Sequence, residues 1–311
     1  MSTIDTLRGR VGAATESDNP LLALVRPPYI LLLPLAILLL VMFVGPMLAI
    51  VVFSVQPGNA ISLNPSTWTV QHYTEIIGGM ASGQGVYGDV LVNTTAVSAV
   101  TTVSTLVFSY PAAYALARKI ERYKTVFLLV LIIPLFTSVN IRVFGWALFL
   151  VNNGVLDSIV SLFGVSNYPT MMYQRWTIIL GTTYVYMPFM LFPIYLSLLS
   201  IEDETLAAAR DLGATRWTLF RRIILPLSKP GVIIGSLFVF ILSLGADVEA
   251  QILGGGSIFT MASNINYSFG YSQNWPLGSA QAVGLLIITL ICGVIILRTI
   301  NLKEIASRGD A

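Results

Sequence analysis

Six apolar runs, each about 18 residues or longer, constrain this chain most, because a run of that length crosses the hydrocarbon core of a bilayer as a helix. They are Tyr29 to Val55, Val90 to Ala117, Thr125 to Val151, Thr177 to Ser200, Gly231 to Leu253 and Ala280 to Leu297. Backbone groups in lipid must be satisfied within the segment, so isolated runs of this kind predict helices and exclude open sheets. Only 10% of the 311 residues are charged, against roughly a quarter in a soluble domain. The expected fold is therefore all-α, an integral membrane helical bundle with six transmembrane helices. The first run follows a polar tail, is too long for a signal-peptide core and lacks a clear small-residue cleavage site, so it reads as a retained span. The chain divides into an N-terminal tail (1–28), one transmembrane domain (29–301) and a C-terminal tail (302–311), with no segment that suggests a separate soluble domain.

The basic residues orient the bundle, since Lys and Arg accumulate in cytoplasmic loops. Arg8, Arg10 and Arg26 precede the first run, and Arg118, Lys119, Arg122 and Lys124 separate the second and third. Arg210, Arg216, Arg221, Arg222 and Lys229 lie between the fourth and fifth, and Arg298, Lys303 and Arg308 follow the sixth. With both termini cytoplasmic, all but Arg142 and Arg175 of the 17 basic residues fall inside. These small clusters do not form the basic face of a nucleic-acid binder, so no nucleic-acid partner is expected. Cys292 and His72 are the only residues of their kinds. That excludes an intrachain disulfide and any metal site built from two or more such ligands.

Two loops on the opposite side, 56–89 and 254–279, lack Lys and Arg. Gln56 to Asp89 is rich in Gly, Asn, Ser and Thr, and Gly254 to Ser279 carries Tyr271 and Trp275. Those aromatics fit either contacts to an external soluble partner or anchors at the bilayer interface.

The long cytoplasmic loop, 202–226, carries the most information. Glu202, Asp203 and Glu204 precede Ala207, Ala208 and Ala209, as suits a helix whose first turn places carboxylates against the positive end of the dipole. Gly213 ends that helix in the left-handed region, Thr215 caps a second helix, and Pro226 stops it. On the second helix Trp217, Leu219, Phe220, Ile223 and Ile224 share an apolar arc that Arg216 interrupts, while Thr218, Arg221 and Arg222 face away. Such a helix can lie on the bilayer, pack on its own spans or enter a groove on another protein, and periodicity does not choose among them.

This loop resembles the EAA loop of the membrane subunits of bacterial binding-protein-dependent ATP-binding-cassette importers: Glu-Ala-Ala, three residues, Gly, then about a dozen residues to a hydrophobic-Leu-Pro end. Ala208, Ala209, Gly213, Leu225 and Pro226 fall on the pattern, while Ala207 stands where the glutamate is usual and Glu204 lies one turn earlier. Ile133 to Ser138, Ile141 to Trp146, Tyr184 to Phe189 and Asn274 to Gly278 look like the spermidine/putrescine-type permease branch. After the fifth run the branch's Gly-Asp-Phe-Val-Thr-Pro is replaced by Gly245 to Ala250, with Ala246 at the aspartate position and Ala250 at the proline position.

The resemblance implies a type I importer permease that forms half of a translocation pathway in the bacterial inner membrane, with a polyamine-like solute. It also implies that Glu204, Ala207, Ala208, Ala209, Asp211, Gly213, Arg216, Trp217, Phe220, Leu225 and Pro226 face a separate ATPase. The implied partners are two copies of that cytoplasmic ATPase, a second permease subunit that is a related but different chain, an extracytoplasmic solute-binding protein and the lipid bilayer. The chain has no Gly-Lys dipeptide and so no P-loop; ATP and Mg would be bound by the partner, and the subunit is not itself an enzyme.

Charges within a span cost about 2.5 to 3.5 kcal/mol at a helix centre on insertion scales. Arg142 in the third run and Asp247 and Glu249 in the fifth are the clear cases. Counted along straight helices, all three reach the outer leaflet, where they either line a polar pathway or form a structural pair. Thr94, Ser98, Thr101, Thr105 and Ser109 form a hydroxyl stripe that serves either the pathway or close helix packing. Pro111, Pro134, Pro188 and Pro193 predict breaks or kinks. His72 reads as solvated and Cys292 as an apolar filler. The alternative to an importer permease is an ion-coupled secondary transporter or channel acting alone, although no internal repeat or mid-depth carboxylate supports it.

Overall fold

The computed structural model describes residues 29–58, 67–82, 86–120, 122–164 and 171–299. The predicted tails, with Arg8, Arg10, Arg26, Lys303 and Arg308, lie outside the described residues. Among the described residues every regular element is helical. In chain order they are α1 (Tyr29–Ser54), α2 (Gln71–Ser82), α3 (Val86–Arg118), α4 (Lys124–Ile132), α5 (Val139–Leu150), α6 (Val155–Leu162) and α7 (Arg175–Leu199). They continue as α8 (Asp203–Asp211), α9 (Arg216–Leu227), α10 (Lys229–Leu244), α11 (Val248–Gly254), α12 (Met261–Gly270) and α13 (Trp275–Thr299).

Contacts divide the chain into two units, ending and beginning at Val52 and Phe53. The first unit contains most of α1, whose apolar residues from Leu32 to Leu48 are exposed around the helix. A helix apolar on every side is a lipid-facing span. In the second unit α3, α7 and α10 pack on one another and form the centre of the bundle. Small residues bring these helices close: a methyl group added at Gly231 of α10 would lie 2.4 Å from the Pro193 carbonyl oxygen and 2.6 Å from Ser197 Cβ of α7. Met190, Leu191, Ile194 and Leu198 of α7 fill one core cluster with Ala113 and Leu116 of α3. A second cluster joins Val143 and Leu150 of α5 to Val97, Ile178, Val185 and Leu253.

By length and composition five described helices can cross a membrane: Leu32–Ser54, Val86–Arg118, Val139–Leu162, Arg175–Leu199 and Trp275–Ile295. A sixth results if α9 and α10, bent by 58° at Ser228, count as one span. Two of the predicted runs are not continuous helices. Thr125 to Val151 divides because Pro134, which has no N–H to donate, tightens the end of α4 into a 3₁₀ turn over Ile133–Phe136. Thr137 and Ser138 then take extended ψ values of 138° before α5 begins. Gly231 to Leu253 divides at Gly245 to Asp247, where α10 ends and α11 starts anew. Pro111, Pro188 and Pro193, by contrast, sit inside unbroken helices. His72 is buried rather than solvated, with Nε2 3.1 Å from the Gln56 carbonyl oxygen.

Candidate functional site

The loop 202–226 folds as its sequence predicts, into two short helices around a left-handed glycine. Gly213 has φ of 83°. Its N–H donates to the Arg210 carbonyl at 2.8 Å and that of Ala214 to the Ala209 carbonyl at 3.0 Å, the paired bonds of a Schellman end to α8. Open space surrounds the α-carbon of Gly213, so backbone conformation alone requires glycine there. Thr215 caps α9 by accepting from the Thr218 N–H at 3.2 Å. The helix runs one residue beyond Pro226. It widens into a π turn over Phe220–Ile224, which relieves the clash between the proline ring and the preceding turn.

The apolar arc of α9 splits in two. Leu219 and Ile224 are buried, Phe220 and Ile223 pack beside them, and Leu206 of α8 joins the same core cluster as the spans. Burying a leucine from a polar loop contributes about 1.5 to 3 kcal/mol, enough to hold the loop against the bundle. Trp217, predicted on the same arc, is instead 68% exposed, because that packing leaves the first turn of α9 outside. Leu212 is 89% exposed. Glu204, Ala207, Ala208, Asp211 and Arg216 are exposed with them, as are Leu225 and Pro226, while Ala209 is half-buried.

Three residues of α3, Tyr110, Tyr114 and Arg118, clamp this loop. Phe220 lies edge-on to Tyr110 and Tyr114, each with ring centres 6.0 Å away, and stacks on Trp217. The Tyr110 hydroxyl is 2.9 Å from Ser228 Oγ, at the bend between α9 and α10. Arg118 donates to the Leu198 carbonyl at 2.7 Å, to the Ile201 carbonyl, and to the Asp203 carboxylate at 2.6 Å. A guanidinium on the final carbonyls of α7 also opposes the negative end of that helix. The i, i+4 spacing of the two tyrosines was a legible signal. Arg118 reaches partners 80 to 85 residues away and left none.

The other predicted residues separate. With both spans broken, counting rise along straight helices no longer places Arg142, Asp247 and Glu249 at one depth. Asp247 precedes α11 and accepts from the Gln251 and Asn266 amides, each at 2.7 Å. Glu249 is 1% exposed, with the Tyr186 hydroxyl and the Arg142 guanidinium as its polar neighbours. The hydroxyl stripe of Thr94, Ser98, Thr101, Thr105 and Ser109 is wholly buried between helices. Thr101 meets Thr182 of α7 at 2.7 Å, and Thr94 accepts from the Met261 N–H of α12 at 2.7 Å.

The chain is thus a bundle of helices long and apolar enough to cross a membrane, carrying a clamped two-helix loop with an exposed apolar tip. The sequence model of the binding-protein-dependent transport system inner membrane component matches residues 77–305, and the chain belongs to that family of multi-pass inner-membrane importer permeases. It is 31% identical over 260 residues to the spermidine/putrescine transport system permease protein PotB of Escherichia coli, covering 83% of this chain and 91% of that protein. The Haemophilus influenzae protein of the same name is 31% identical over 221 residues, covering 71% and 75%. Among solved structures, a permease chain of the bacterial alginate ABC transporter, crystallised with its alginate pentasaccharide-bound periplasmic protein, shares the fold. The TM-score is 0.68 at 17% identity, over 86% of this chain and 91% of that one.

Proposed function

We propose that this permease imports a polyamine and couples to a separate ATPase through the loop 202–226. The relatives that suggest the solute are named for spermidine and putrescine and align along most of their length. The observation that carries the coupling role is the division of labour within α8 and α9. Leu206, Leu219 and Ile224 are packed into the spans while Leu212 and Trp217 are left bare. An exposed leucine and tryptophan on a rigid mount are anchors for a partner's pocket. In this reading the loop and both termini are cytoplasmic, as the distribution of basic residues predicts. Two ATPase copies bind ATP and Mg, a second and related permease completes the pathway, and an extracytoplasmic binding protein delivers the solute.

A docked ATPase would push on α9, and the clamp to α3 would pass that push to α3, α7 and α10 as one body. Replacing Leu212 and Trp217 together with Ala tests this directly. The variant should insert and fold as before but lose ATPase from the purified complex and lose ATP-driven spermidine uptake. Retention of the ATPase at wild-type stoichiometry would reject the loop as the docking element.

A further inference from the structure

Glu249 is a carboxylate inside the bundle with 1% of its surface exposed and no cationic nitrogen within 4.0 Å among the described residues. Its Oε1 has no hydrogen-bond partner. A buried carboxylate left so is costly, and the cost is removed by protonation or by a counter-charge with donors to spare. Arg142, on the neighbouring α5, mirrors it: Nε and Nη1 are buried without an acceptor. Tyr186 of α7 is their neighbour, two residues before Pro188. Arg142 and Glu249 both lie within the first turn or so of short helices that follow a break in their spans, and α5 and α11 pack on each other and on α7. Breaks of this kind beside ionisable groups are how membrane transporters build solute positions.

The sign of the charge selects the ligand. Around the start of α11 are two carboxylates, Asp247 and Glu249, against the single guanidinium of Arg142, and the amides of Gln251 and Asn266 already occupy Asp247. With Glu249 ionised the net charge is negative, and the unoccupied oxygen belongs to Glu249. We propose that Glu249 and Tyr186 form an intramembrane position for one ammonium group of the transported solute. Arg142, beyond ion-pair distance, is the fixed cation whose field the ammonium group competes with. This rests on the polyamine reading above and deepens it, since it gives the permease a solute position of its own, separate from the binding protein.

The test is equilibrium binding of labelled spermidine to the purified permease–ATPase complex without its binding protein, alongside ATP-driven uptake with it. Wild type should bind saturably, Glu249→Gln should weaken binding at least about tenfold, and Glu249→Asp should retain part of the affinity. Arg142→Met should tighten binding several-fold by removing the competitor, which keeps the idea testable should Glu249→Gln fail to assemble. Wild-type affinity in assembled Glu249→Gln, or unchanged or weaker affinity in assembled Arg142→Met, would overturn the site and leave a structural pair. If wild type takes up spermidine with its binding protein yet binds none without it, the site falls and the polyamine reading stands. If it takes up none, both fall.

Discussion

Arg118 and Gly213 do unlike jobs for the same loop, and their substitutions should fail in unlike ways. The Arg118 guanidinium satisfies two carbonyls and an acid, but Asp203 is 89% exposed, so the ion pair is the weak part. Asp203→Asn should therefore cost less than about 1 kcal/mol. Arg118→Met should cost on the order of 1.5 to 3 kcal/mol by leaving the carbonyls unpaired. Hydrogen exchange across residues 198–211 distinguishes the two, with faster exchange expected only for Arg118→Met. Gly213→Ala introduces no clash and should cost about 1 to 2 kcal/mol through its φ of 83° alone. The measurable consequence is a lower ratio of solute moved to ATP hydrolysed, with the spans' melting unchanged. Gly213 was legible because glycine at a helix end has one local meaning. Arg118 was not, because its partners lie on another helix and a basic residue there already had a sufficient reason in topology.

At the level of elements, periodicity and length located the helices well and misjudged their continuity. The 3₁₀ turn at Pro134 and the restart at Asp247 interrupt runs whose average hydropathy stays high, so the polar residues beside each break, Thr137 to Arg142 and Asp247 to Glu249, read as charges within a span rather than as the end of a helix. Packing distances make a sharper test. Gly231→Ala forces a methyl group into the α7–α10 contact and should lower the melting temperature, with a cost of about 1 to 3 kcal/mol. Gly284→Ala in α13 meets nothing within 4 Å and should leave the melting temperature unchanged or raise it slightly. Equal effects at the two glycines would mean that α7 and α10 are not in close contact. The hydroxyl stripe of α3 follows the same logic: its spacing announced one face, but only the packed partners, Thr182 and Met261, show what that face meets.

For the whole molecule, the scarcity of charge announced the membrane, and the largest cluster of the few charges falls in the loop 202–226. What one chain's sequence does not encode is the rest of the assembly; under the proposed coupling role, the bare surface of Leu212 and Trp217 is where the ATPase docks. The central claim is that transport here is driven by ATP hydrolysed on that partner. The most direct measurement is spermidine uptake into proteoliposomes containing this chain and its second permease, with the binding protein supplied outside the membrane and the ATPase either present or omitted. Uptake should require both the ATPase and ATP, and should vanish without them whatever ion gradient is imposed. Uptake by this chain down an ion gradient in the absence of the ATPase would contradict the account.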